Sequence, residues 1–75
     1  MILPNKITSF NESVLSKLTP IMKELQRGER NIFKIFKLTH SNYEEINEYL
    51  YALDILFLLD VVEKIDGDKL YVKTN

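Results

Sequence analysis

The 75-residue sequence has no cysteine and no tryptophan, only two glycines and two prolines, and no apolar run longer than five residues, such as Ile55 to Leu59. Each absence closes off a class. Without cysteine there is neither a disulfide framework nor a thiolate to serve as metal ligand or nucleophile, so a cytoplasmic address is expected. Five apolar residues fall far short of the roughly 20 that span a bilayer. Residues 1 to 6 lack the basic start and apolar stretch of a secretory signal, so no membrane association is expected. Gly28 and Gly67 stand far apart, which excludes a glycine-rich phosphate loop. No charge of one sign dominates, since ten basic and eleven acidic side chains leave a net charge of −1.

What is present is an ordinary globular composition, 45% hydrophobic and 28% charged, well away from the disordered class. The length allows one domain, residues 1–75, and excludes large enzymes. A chain this short buries only about 60% of its unfolded surface, so its core supplies a few kcal/mol at most and partner subunits are expected to matter.

The periodicity predicts an extended lead-in over residues 1–8, three helices within residues 9–59 and a hairpin over residues 61–73. Ser9 with Glu12 has capping-box spacing, and Asn11 is a competing cap. Val14, Leu18, Ile21 and Leu25, flanked by Leu15 and Met22, form one apolar stripe, with Ser16, Lys23 and Arg27 opposite. Pro20 falls inside this pattern, where a bend or a break after Thr19 is expected. Gly28 is the natural C-cap. A second helix from about Arg30 to Thr39 turns Ile32, Ile35, Phe36 and Thr39 inward and Arg30, Lys34 and Lys37 outward. After the turn His40-Ser41-Asn42, Ser41 and Glu44 repeat the capping-box spacing. The third helix has an expected inner face of Tyr43, Ile46, Tyr49, Leu50, Leu53, Leu56 and Phe57 and an end near Leu59 or Asp60. Two β-rich runs around Asp66-Gly67-Asp68 then read as a hairpin. Three helices followed by a hairpin wing make a winged helix-turn-helix, an α+β fold that is mainly helical.

Such a fold commonly sets its third helix in the DNA major groove, where basic and amide side chains read phosphates and base edges. Here that helix is wrong for the task. Between Asn42 and Asp60 there are five acidic side chains and no basic one, and phosphates repel acids. Residues 1–40 carry seven basic and three acidic groups (+4), and residues 41–75 three and eight (−5). Lys23, Arg27, Arg30, Lys34 and Lys37 are a candidate nucleic-acid or acidic-partner face, or simply the solvated side of surface helices. Lys64, Lys69 and Lys73 on the wing either touch phosphate or guard an edge strand against aggregation.

Catalytic and metal chemistry has little to work with. His40 is the sole histidine and reads as a turn residue. Glu44, Glu45 and Glu48 complement a helix dipole more readily than they make a cation site. Asp66-Gly67-Asp68 is too short for a calcium loop of about twelve residues. No catalytic residue, metal or cofactor is expected, and the protein is read as a non-enzyme. One feature exceeds the needs of the fold. With Ile46 taken as the core direction, the far side of the third helix holds Glu44, Glu48, Tyr51, Ile55, Leu58 and Leu59. The wing is expected to cover Leu58 and Leu59. That leaves Tyr51 and Ile55, bracketed by Glu48 and Asp54 and with Glu44 on the same side, either for a partner protein or for the lead-in residues Ile2, Leu3 and Ile7.

The segments Leu3-Pro4-Asn5-Lys6, Asn11-Glu12-Ser13-Val14-Leu15 and, above all, Tyr51-Ala52-Leu53-Asp54-Ile55-Leu56-Phe57-Leu58-Leu59-Asp60-Val61-Val62-Glu63 resemble the small winged-helix middle component of bacterial ABC-three-component systems. The similarity spans nearly the whole chain. Similar sequences usually turn with glycine after the third helix, where this chain has Asp60, a residue that tolerates the left-handed conformation. The resemblance implies a non-enzymatic adaptor that binds an SMC-like ABC ATPase near its head or coiled-coil base and helps hold an effector in check, as in Lamassu-type defence against phages and plasmids. The acidic third helix, for its part, predicts no sequence-specific DNA binding by the subunit alone. The competing reading is a small dimeric DNA-binding regulator.

Overall fold

The structure, a computed structural model, describes residues 12–73. The expected lead-in and both cap candidates, Ser9 and Asn11, lie outside the described residues. The chain folds as α1 (Glu12–Gln26), α2 (Ile32–Thr39), a 3-10 turn (His40–Asn42), α3 (Ile46–Leu58) and two antiparallel strands, β1 (Val62–Asp66) and β2 (Lys69–Val72). This is a winged-helix-like, mainly helical α+β fold.

Helix α1 runs unbroken through Pro20. Leu18 on one side of the proline and Ile21 on the other are both fully buried. Each contributes about 1.5–3 kcal/mol, enough together to offset the roughly 3 kcal/mol that an internal proline costs. The helix ends where expected. Gly28 has φ +97°, its amide donates to the Leu25 carbonyl at 3.1 Å, and the next amide, of Glu29, donates to the Glu24 carbonyl at 3.0 Å, the paired bonds of a Schellman cap.

Helix α2 begins at Ile32, later than the sequence predicts, because the residues before it are extended. Asn31 forms a β-bridge with Lys69. Ile32 N–H donates to the Asp68 carbonyl and Leu70 N–H to the Arg30 carbonyl, each at 2.8 Å. This bridge docks the wing onto the α1–α2 connection, and periodicity gave no sign of it. Asn31 is also the N-cap of α2, its side chain accepting from Lys34 N–H at 3.0 Å.

The expected Ser41 cap is not formed, because Ser41 lies in the 3-10 turn. Helix α3 starts at Ile46, with Glu45 as an N-cap that makes no side-chain bond. Instead Glu48 reaches back, and its Oε1 accepts from Glu44 N–H at 2.8 Å. At the other end Asp60 takes φ +64°. Its amide donates to the Phe57 carbonyl at 3.1 Å and that of Val61 to the Leu56 carbonyl at 3.0 Å, a second Schellman cap with aspartate in the glycine position.

The inner face of α3 is rotated from the expected one. Tyr49, Ala52, Leu53, Ile55 and Leu56 are buried, whereas Ile46, Leu50 and Phe57 are half-exposed. Tyr49 lies about 60° around the helix from Ile46, and the core centres on Tyr49. With α1 and α2 covering that side, Leu18, Ile21, Leu25 and Ile35 join it in one core, closed at the end by Val61, Val62 and Leu70. The wing does not cover Leu58, which is 80% exposed. Strands β1 and β2 pair Ile65 with Leu70 and Asp66 with Lys69, with a bulge between Val62 and Lys64. The two-residue turn has positive φ at Gly67 alone, as a type II′ hairpin requires.

This rotation makes a stability prediction. Leu56→Ala, at a fully buried site, is expected to cost about 2–5 kcal/mol, and Leu50→Ala, half in solvent, about 1 kcal/mol. Urea unfolding of the two variants measures the difference. Equal losses would place Leu50 in the core after all.

Candidate functional site

The candidate contact residues Tyr51, Ile55 and Glu48 come together, lining a shallow groove with Ser13, Val14 and Lys17 of α1 and Ala52 of α3. Their roles within it differ. Tyr51 is 66% exposed, while Ile55 is only 7% exposed and belongs to the core. The Glu48 carboxylate is already engaged, accepting from Glu44 N–H and pairing with Lys17 Nζ at 3.2 Å. Glu44 is exposed before α3 and is not part of the groove lining. The apolar surface offered to a partner here is thus Tyr51 rather than a Tyr51–Ile55 pair.

Sequence reasoning missed the centre of this region, Lys17. Its ammonium donates to the Asn42 carbonyl at 2.9 Å, pairs with Glu48 and lies 5.7 Å from the Tyr43 ring centroid. One side chain of α1 thereby fastens both the 3-10 turn and the first turn of α3. Tyr43 completes the link by donating to the Lys17 carbonyl at 2.6 Å. Burial, assisted by the nearby Glu48 charge, pushes the Tyr43 hydroxyl up to about 12. The Glu44 amide and then Lys17 hold the Glu48 carboxyl below the usual glutamate value of 4.5.

The five basic candidates differ in their surroundings. Arg30 lies ahead of α2, and its Nη1 donates to the Leu25 and Glu29 carbonyls at 2.8 Å each. Arg27 pairs with the nearly buried Glu24 at 2.9 Å, and Lys34 pairs with Glu29 at 3.5 Å. Lys23 and Lys37 are exposed, Lys23 beside a shallow depression shared with Pro20 and Leu38. Three of the five cations are therefore occupied in holding the α1–α2 connection, a use that spacing alone does not reveal. On the wing, Lys64 and Lys69 lie over the Tyr71 ring at 5.0 and 5.3 Å.

Among the described residues, no three histidine, aspartate or glutamate side chains gather as a metal site, and no helix is long and apolar enough to cross a membrane. What stands out is α3. Its only charged residues are Glu48 and Asp54, and it exposes Ile46, Leu50, Tyr51, Phe57 and Leu58. The geometry defines a class, a winged-helix domain whose third helix is apolar and acidic on its outside. The chain belongs to the family of the ABC-three component (ABC-3C) system Middle Component 7, whose family model matches residues 3–71. It is therefore a middle component that partners with other components of such a system. No curated protein and no solved structure matches it.

The Lys17 junction has a pH signature. A carboxyl whose folded pKa is lowered contributes stability above its unfolded value and loses it as pH falls through the folded one. Wild-type melting temperature should therefore fall below about pH 4.5, with a shallower fall in Glu48→Gln. The sign reverses for Tyr43, whose folded pKa is raised. Its contribution is complete below pH 10 and is lost as pH rises toward about 12, so Tyr43→Phe should flatten the alkaline limb. Melting curves at stepped pH measure both. An unchanged acid limb in Glu48→Gln would remove that residue from the junction.

Proposed function

We propose that the protein is a non-enzymatic adaptor that binds an SMC-like ABC ATPase and helps hold an effector subunit in check, in cytoplasmic defence of the Lamassu type against phages and plasmids. One observation carries the protein-binding role. The helix that a DNA-reading winged helix would place in the major groove here has no base between Asn42 and Asp60 and exposes five large apolar side chains. Duplex DNA rewards cations that displace its counterions, and α3 offers it none. Apolar surface is what protein partners cover, and middle-component family membership makes partners part of the role. Because a small core leaves little stability in reserve, a bound partner is expected to raise the melting temperature by mass action.

Two measurements test this reading. Titrating duplexes at about 50 mM salt, where phosphate contacts are strongest, should give no sequence preference and no sub-micromolar affinity. Co-expression with an SMC-like ABC ATPase from an ABC-three-component system of the native host should yield a stable complex with a higher melting temperature than the protein alone. Tight binding to one DNA sequence, together with failure to bind the ATPase, would favour the small dimeric regulator.

A further inference from the structure

We infer that the outward face of α3 is the docking ridge of this adaptor, and that its occupant is a helical protein surface that is apolar with basic side chains among and around its apolar residues. The inference rests on the adaptor reading and adds where the contact lies and what chemistry it takes.

The face follows from the rotation of the helix. Residues 46, 50, 53 and 57 lie along one line of an α-helix, and residues 47, 51, 54 and 58 along the next. Leu53 turns into the core, while Ile46, Leu50 and Phe57 stay half-exposed and Tyr51 and Leu58 largely so. Two adjacent lines therefore present five large apolar side chains over a helix about 20 Å long. Scattered exposed apolar residues need no explanation, but a contiguous set on one element does. Among the described residues, α1 and the wing pack elsewhere. The core they share with α3 is built on Tyr49, Ala52, Ile55 and Leu56.

Charge selects the occupant. Glu44 and Glu45 precede the ridge, Asp54 stands within it, and Asp60 and Glu63 follow it, all of them exposed. Among the described residues, Lys73 pairs with Asp60 at 3.9 Å. A second copy joined through the same ridge by a two-fold axis would set acids against acids, and nucleic acid or an anionic bilayer would meet the same repulsion. A surface bearing lysine or arginine around an apolar strip meets complementary charge. A convex helix packs its ridges most closely into a groove between other helices, so the partner surface is helical.

The test uses the full chain co-expressed with an SMC-like ABC ATPase and effector from an ABC-three-component system of the native host. Leu50→Ser with Phe57→Ser should keep the fold, because both sites are half in solvent, and should lower retention of the partner at least tenfold. Asp54→Lys, on the exposed face, should weaken the same complex, and raising salt should weaken wild type more than Asp54→Lys. If the double variant does not melt cooperatively, Asp54→Lys alone decides. A wild-type complex that both variants form equally well overturns the ridge and leaves the adaptor reading standing. Absence of any wild-type complex with either component overturns the adaptor reading, and the ridge with it. A wild-type dimer in sedimentation that the double variant abolishes overturns the assigned occupant.

Discussion

The structure depends on where Tyr49 points. Its ring is 1% exposed and lies 4.9 Å from Phe36 and 5.6 Å from Tyr43 between centroids. Its hydroxyl donates to the Ile32 carbonyl at 2.7 Å. A buried phenol without an acceptor would be costly, and here the acceptor sits at the first turn of α2. The bond fixes how α3 is rotated about its own axis. Once Tyr49 faces inward, Ala52, Leu53 and Leu56 must follow, and Leu50, Tyr51 and Leu58 must face out. Core composition and outer surface are set by the same constraint.

The second requirement is that helix ends and the wing find partners for their backbone groups. Gly28 and Asp60 close α1 and α3 with the same pair of hydrogen bonds. A two-stranded hairpin is marginal by itself. This one gains a third segment at residues 30–32, through Asn31 opposite Lys69, and Leu70 drops into the core as a fully buried side chain. Asn31 Nδ2 also donates to Asp68 Oδ2 at 3.0 Å. The connection between α1 and α2 thus caps a helix, completes the sheet and anchors the wing.

Electrostatics ties fold to function in an uneven way. Part of the excess of base in the first half of the chain is used locally, because Glu24 and Glu29 pair with Arg27 and Lys34, and Arg30 donates to backbone carbonyls. The acids of the second half are not neutralised to the same degree. Among the described residues, Glu48 is the one acid of that half before or within α3 that is paired with a lysine. The result is a winged-helix-like fold whose third helix is apolar and acidic on its outside, in a member of the Middle Component 7 family.

Several features were legible from the sequence because they are local. The stripe of Leu18, Ile21 and Leu25, the stop at Gly28, the left-handed turn at Asp60 and the hairpin at Gly67 each depend on side chains within a few residues of one another. So does the lack of base in α3, which needs only counting. The cap at Asn31 was readable in the same way, as an asparagine directly before an apolar-periodic run. The rotation of α3 was not. Nearly every position of that helix is apolar, so periodicity has no contrast from which to choose a face, and Ile46 serves as well as Tyr49 until the Ile32 carbonyl supplies the acceptor. Lys17 on Glu48 and Asn42, Arg30 on Leu25, and the bridge from Asn31 to Lys69 lie beyond reach for a related reason. They join residues far apart in the chain or redirect a charged side chain to backbone, and only tertiary packing brings those groups to hydrogen-bond distance.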